Sequence, residues 1–199
     1  MILPTIDINF SYIEGTCRYC SPQAAGTIRE KLRDVPSRAI HRIGNGDYHY
    51  ISLFFLEKIA EPFTLYLYDN HPDNQTGAFD AGLLSCGNWV AEAERLPLCK
   101  GVVWTDGKGV RHERGEKCPA IYVSVDLDIL SRQWMRTNWD QGDLTLAELC
   151  GILKEDIEGK RLLGADICGA PALGQKICTC ELEMNGRCVR EVGQILDIS

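Results

Sequence analysis

Several features are missing from this 199-residue sequence, and each absence excludes something. No apolar run reaches the roughly 18 residues that cross a bilayer, so no membrane-spanning segment and no membrane partner are expected. No Lys/Arg cluster stands out and the net charge is −7, so the electrostatic footprint of a nucleic-acid binder is absent. The start of the chain, Met1 to Phe10, has no basic stretch and already contains Asp7. A secretory leader is therefore not expected, and the expected location is the cytoplasm. Internal repeats, low-complexity tracts and obvious linkers are also missing. The chain therefore reads as one domain over residues 1–199, long enough to bury a sizeable core.

Cysteine, by contrast, is abundant, with ten residues. Without a leader, free buried thiols are the default. Cys17 and Cys20 form a CxxC, and Cys178 and Cys180 form a CxC with Cys188 nearby. Together they could hold a structural zinc, but the spacing is not that of a zinc ribbon and no histidine accompanies either group. A redox CxxC is weakened by the lack of a clear strand before Cys17.

Ser21-Pro22 reads as a helix start, with Ser as N-cap and Pro at the first helical position. Ala25, Ile28, Leu32 and Val35 then recur at helical spacing until Pro36. Ala39–Ile43 reads as a strand ending at Gly44-Asn45-Gly46, and Ile51, Phe54, Phe55 and Ile59 mark a second helix. Phe63–Tyr68, Gly101–Thr105, Ala120–Val125 and Arg161–Ile167 read as strands. Gly82–Val90 reads as a strand end turning into a short helix, and Val110–Cys118 as a loop or hairpin after the Asp106-Gly107 turn. Thr145 and Glu148 form a capping box before the apolar face of Leu146, Leu149, Leu153 and Ile157, and Arg187–Ile198 reads as the last helix. Strands alternating with helices predict an α/β fold of three layers, α/β/α, around a mainly parallel sheet.

Two strands end in acidic motifs. Asp69-Asn70-His71-Pro72-Asp73 follows Phe63–Tyr68, and Asp126-Leu127-Asp128 closes Ala120–Val125. If both segments stay extended, alternate side chains share a face and converge beyond the strands' carboxyl ends, where open α/β sheets bind ligands. An apolar strand ending in two same-facing carboxylates calls for a positive partner, because unpaired buried charge is costly. His49 follows a third strand, after Gly44-Asn45-Gly46-Asp47-Tyr48. Two histidines and four aspartates form an oxygen-rich set suited to hard or borderline divalent ions, Mn²⁺ best, with Mg²⁺, Fe²⁺ or Zn²⁺ as alternatives. Two such ions would neutralise the four carboxylates and share a water that loses its proton near neutral pH.

With these motifs the chain resembles the arginase–agmatinase–formimidoylglutamase superfamily, the ureohydrolases, over roughly Ala39–Gly169. Asn45–His49 resembles the family's GGDH segment with one extra residue before the histidine, so Tyr48 fills the in-register position. Asp69–Asp73 matches its DxHxD, Ser124–Asp128 its SxDxD, Leu144-Thr145 its GLT helix start, and Gly164–Ile167 the next strand. The resemblance implies a compact arginase-like fold and two manganese ions bridged by Asp69 and Asp126. His49 and Asp73 would complete one ion, and His71 and Asp128 the other. The bridging hydroxide would hydrolyse a C–N bond of a guanidino- or amide-like small molecule.

There are departures as well. Cys86, in Ser85-Cys86-Gly87-Asn88, takes the place of a family active-site histidine. It is a candidate catalytic residue, as a substrate contact or a thiol near the metals; the plainer reading is a small buried residue on a tight turn. Gly169 stands where the family's guanidinium-binding glutamate is expected, and the chain is much shorter than typical members. A non-catalytic relative that keeps metal for stability or small-ligand binding is thus the alternative, and a homo-oligomer is left open. Among the remaining candidates, His41 reads as a packed or surface histidine rather than a ligand, and His112 as solvated. Trp134 and Trp139 read as pocket walls or loop anchors, and Asn88-Trp89 as a further lining segment.

Overall fold

The apolar segments pair into one sheet whose carboxyl edge carries every acidic motif. The structure is a computed structural model and describes residues 3–75 and 83–197. In chain order the elements are β1 (Thr5–Asp7), β2 (Tyr19–Cys20), α1 (Pro22–Lys31), β3 (Ile40–Arg42), α2 (Ile51–Leu56) and β4 (Phe63–Tyr68). There follow β5 (Leu84–Ser85), α3 (Trp89–Ala93), β6 (Cys99–Thr105), β7 (Arg111–Gly115), β8 (Ala120–Asp126), α4 (Leu146–Ile157), β9 (Arg161–Cys168) and α5 (Thr179–Asp197). The main sheet has the order β1-β3-β9-β8-β4-β6-β7. Every neighbouring pair is parallel except β6–β7, a hairpin at one edge. A separate two-stranded ribbon pairs β2 with β5.

Helices cover both faces, as the strand–helix alternation predicts. Along β4 the side chains alternate. Phe63, Leu65 and Leu67 pack with α1, α2 and α3, while Tyr66 and Tyr68 pack with α4 and α5. All six positions of β4 are buried, which explains why it reads as a continuous apolar run. The Ser21 N-cap and the Thr145–Glu148 capping box form as the sequence predicts.

The elements missed from the sequence are short or polar. β1 and β2 span three residues or fewer, too few to show a period. The last helix begins at Thr179 rather than Arg187, because its first turns are polar and carry no apolar stripe. The Glu181 carboxylate accepts the Cys178 N–H at 2.8 Å and anchors that start. Gly82 and Ile198, parts of two predicted elements, lie outside the described residues. No helix among the described residues is long and apolar enough to cross a membrane.

His41 is packed. Its ring stacks on Phe55 with centroids 3.6 Å apart, and its nitrogens lie 3.2 and 2.9 Å from the carbonyl oxygens of Ala165 and Pro36. Burial pulls its pKa down to about 4, against the pull of those two carbonyls. In the unfolded chain it titrates near 6.5, so the unfolded state takes up the proton first as pH falls. His41 therefore adds stability that is whole above about pH 6.5 and is lost as pH drops through about 4, at most about 3 kcal/mol. Urea melts at several pH values are expected to show this loss in the difference between the wild type and His41→Gln; parallel pH profiles would refute it.

Candidate metal centre

Four adjacent strands, β3, β9, β8 and β4, deliver the site from their carboxyl ends. After β3 the chain makes a short 3-10 turn, Gly46–Tyr48, opened by the Asn45 side chain accepting the Asp47 N–H. This turn absorbs the extra residue of the motif and leaves His49 buried and facing the carboxylates. His49 Nδ1 lies 3.1 Å from Asp69 Oδ2, 3.2 Å from Asp73 Oδ2 and 3.7 Å from Asp126 Oδ2.

The two acidic motifs converge, but not as extended strands. After β4, the Asp69 carboxylate accepts the His71 N–H at 2.6 Å and turns the chain, and Asp73 adopts a left-handed backbone at φ 43°. Helix α3 fixes Asp73: its carbonyl accepts the Val90 N–H at 3.0 Å, and its Oδ2 accepts the Trp89 indole N–H at 2.7 Å. After β8, Asp126 Oδ1 accepts the Asp128 N–H at 3.0 Å and starts another 3-10 turn, Leu127–Ile129. Tight turns thus replace the expected strand alternation, because each aspartate side chain captures the amide two residues ahead.

Two donor sets result. His49, Asp69 and Asp73 form one, and Asp69, His71 and Asp128 the other; in each, the ligand atoms lie within 4.8 Å of one another. Asp69 serves both, with Oδ2 toward His49 and Oδ1 3.5 Å from His71 Nδ1, which also lies 3.0 Å from Asp128 Oδ2. A third group, His49, Asp126 and Cys168, shares only His49 with the first. The Cys168 thiol is fully enclosed, and burial, then Asp126, pushes its pKa well up.

A buried relay prepares His49. Ser124 Oγ donates to Asp166 Oδ1 at 2.7 Å, so it accepts from His49 Nε2, 2.9 Å away. That arrangement holds the ring and turns Nδ1 toward the carboxylates. Nδ1 is buried and makes no aligned hydrogen bond, although three carboxylate oxygens surround it. Such a pocket suits a cation at its centre better than a proton along one line.

The electrostatics agree. Burial, then Asp128 and Asp69, raises the Asp126 pKa well above the usual carboxylate range. Burial, then Asp69, raises Asp128 to about 6. The Asp128 and Asp69 carboxylates push His71 up to about 11, and for His49 the same kind of contact overcomes burial and raises it well above its ordinary value. These shifts all favour extra positive charge in the cluster. The oxygen-rich set with two imidazoles fits a divalent ion.

A cavity of 450 Å³ opens over these groups. Its wall includes Cys86, Asn88 and Trp139 among the sequence candidates, whereas Trp134 packs against the core instead. Cys86 is half-buried rather than fully buried, and burial, then Asp73 and Asp47, raises its thiol to about 12. The neighbouring Trp89 is buried behind the site, as a donor to Asp73. His112 stays at the surface, stacked on Trp104 and 3.0 Å from Asp106. Gly46 lies under the Trp139 indole, where a Cβ would come within 2.5 Å of the ring. Gly169 has φ +100°, and a Cβ there would meet Asp126 Oδ1 at 2.6 Å, so any side chain at this position would be strained and crowded against the cluster. Among the described residues, no cluster of metal-ligand atoms includes Cys17, Cys20, Cys178, Cys180 or Cys188. Cys17 lies 3.8 Å from Asp47, Cys188 is buried against the Trp134 carbonyl, and Cys178 and Cys180 are exposed at the start of α5. Arg18, Tyr19 and Gln75 line the cavity but escaped the sequence reading, since none is a periodic apolar position or a metal-donor residue of a motif.

No family model matches the chain. It is 32% identical over 143 residues to an uncharacterised protein of Thermotoga maritima, an overlap of 65% of this chain and 57% of that protein. The chain therefore spans little more than half the length of that relative. Three solved structures share the fold. Arginase from Bacillus caldovelox aligns with a TM-score of 0.64 at 16% identity, over 94% of this chain and 80% of its own. Proclavaminate amidino hydrolase from Streptomyces clavuligerus gives 0.65 at 16%, over 88% and 69%. Formimidoylglutamase from Bacillus subtilis gives 0.63 at 12%, over 88% and 66%. The chain shares the arginase-like α/β fold of these structures, the fold expected from the sequence.

Because metal ligands bind deprotonated, and His71 and Asp128 are both raised, Mn²⁺ binding is expected to release protons and to weaken as pH falls through about 6, where Asp128 takes up a proton. Calorimetry in buffers of different ionisation enthalpy reads the release. Binding with no proton exchange would contradict the assignment.

Proposed function

We propose that this protein is a metal-dependent hydrolase of the ureohydrolase type, acting on a C–N bond of a guanidino- or amide-like small molecule. The reading is carried by Asp69, which divides its two oxygens between two donor sets. His49, Asp73 and Asp126 would complete one ion's shell, and His71, Asp128 and Asp126 the other's. When bound, two Mn²⁺ ions supply Lewis acidity and a water made nucleophilic near neutral pH. The chain's own residues do the rest. Asp69 and Asp126 fix the spacing between the two sets, and the Ser124–Asp166 pair holds the His49 ring in one orientation. Trp139 screens one side of the cavity from solvent, and Cys86 contributes a neutral thiol to its wall. At Gly169 no carboxylate waits for a guanidinium, so a cationic guanidino group loses its usual counter-charge.

Metal analysis after Mn²⁺ reconstitution is expected to find about two ions per chain, and fewer than about one would sink the reading. Ammonia or urea release from a panel of amides, ureido compounds and amidines tests turnover. Asp126→Asn is expected to lower turnover by at least about a thousandfold while the fold survives; a variant that only melts earlier would favour a structural role for the metal. Arginine is expected to be a poor substrate, and rapid urea release from it would show the Gly169 argument to be wrong.

A further inference from the structure

We infer that the cavity selects substrates carrying a carboxylate, and that Arg18 is the residue that binds it. This rests on the metal-centre reading above and deepens it. Arg18 lies on the same 450 Å³ cavity as Asp69, His71, Asp126 and Asp128. Its backbone is one of two non-glycine left-handed positions among the described residues, at φ 65°; the other is Asp73, in the metal centre. Such conformations cost energy and persist where the surroundings enforce them. Here the enforcement comes from both sides. The Arg18 N–H donates to the Asp47 carbonyl at 3.0 Å, and its carbonyl accepts the Cys86 N–H at 2.8 Å. The residue is thereby tied to the loop bearing His49 and to the loop bearing Cys86.

The side chain is aimed as well as anchored. Its Nε donates to Asp47 Oδ1 at 3.3 Å, and its Cζ lies 5.5 Å from the centre of the Trp139 ring. Among the described residues its terminal nitrogens have no hydrogen-bond or ion-pair partner, so the edge that recognises carboxylates stays available. Trp139 spans the gap to the metal centre, its ring centroid 6.0 Å from that of His71. The indole N–H of Trp139 is buried over Gly46 and has no partner among the described residues.

The free edge of Arg18 gives the sign. Four aspartates crowd the floor, and two divalent ions would cancel them. Beyond Arg18 the surface continues into a groove that Arg18 and Trp139 also line, with Arg132, Arg136 and Asp140. Arg136 is paired with Glu181 at 3.0 Å. Since the charges named there balance, the preference for an anionic tail comes from the unpaired terminal nitrogens of Arg18, held on the cavity wall by Asp47.

The test uses Mn²⁺-loaded full-length protein and direct binding by calorimetry. The probes are N-carbamoylglycine and N-carbamoyl-γ-aminobutyrate, each beside its neutral carboxamide, with N-carbamoylputrescine as the cation. At least one anion is expected to bind about tenfold or more tightly than its amide and the cation. Arg18→Gln should remove that preference and leave amide binding unchanged, and Arg18→Lys should restore part of it. Equal binding of acid and amide, tighter binding of the cation, no measurable binding of either acid, or a preference that survives Arg18→Gln would each overturn the inference. Metal content is measured on the same samples. Protein that takes up no Mn²⁺ refutes the metal-centre reading, whereas fully loaded protein without a charge preference refutes only the role of Arg18.

Discussion

Four carboxylates crowded into a buried pocket repel one another, and much of this structure is arranged around that repulsion. Asp69, Asp73, Asp126 and Asp128 are all buried at the carboxyl edge of the sheet. Their proximity is tolerable only with positive charge among them. His49 and His71, both raised above the ordinary histidine range by these carboxylates, are the cationic groups nearest to them. The supporting contacts hold this crowd together. The backbone amides of His71 and Asp128 are turned inward by the aspartates themselves, Trp89 pins Asp73 from behind, and Ser124 with Asp166 fixes His49. The sheet contributes rigidity, since each motif leaves a fully paired central strand.

The two faces of the sheet divide the work. Helices α1 to α3 pack on the face that includes Trp89 and Cys168, directly behind the site. Helices α4 and α5 pack on the other, which carries the Leu-rich surface of α4 and much of the remaining core. The site thus rests on a wall of large, fully buried side chains, and its loops need little length of their own. The β6–β7 hairpin closes the far edge with Arg111–Gly115, a polar strand exposed along most of its length, which discourages pairing with another sheet.

Much of this was legible in the sequence, and the parts that were not share a cause. Phe63–Tyr68 and Ala120–Val125 read as strands because burial on both faces leaves an unbroken apolar run. The donor residues were legible because Asp and His after such a run need a reason to be there. What the spacing could not convey was the path between donors. Extended segments and Asx-stabilised turns bring residues two apart together equally well, and only the backbone distinguishes them. The one-residue offset of His49 likewise depended on a 3-10 turn that leaves no pattern in Gly46-Asp47-Tyr48. Arg18 was invisible for a different reason: its importance comes from contacts with Asp47, Cys86 and Trp139, which lie 29, 68 and 121 positions further along the chain.

Gly169 carries a consequence for redesign. Its backbone turns through a region that side chains avoid, and Asp126 and Leu127 crowd the direction in which a Cβ would point. Any side chain placed there would have to redraw the loop after β9 and move an aspartate of the central cluster. Engineering that seeks a new charge beside the site would have to bring it in from another loop.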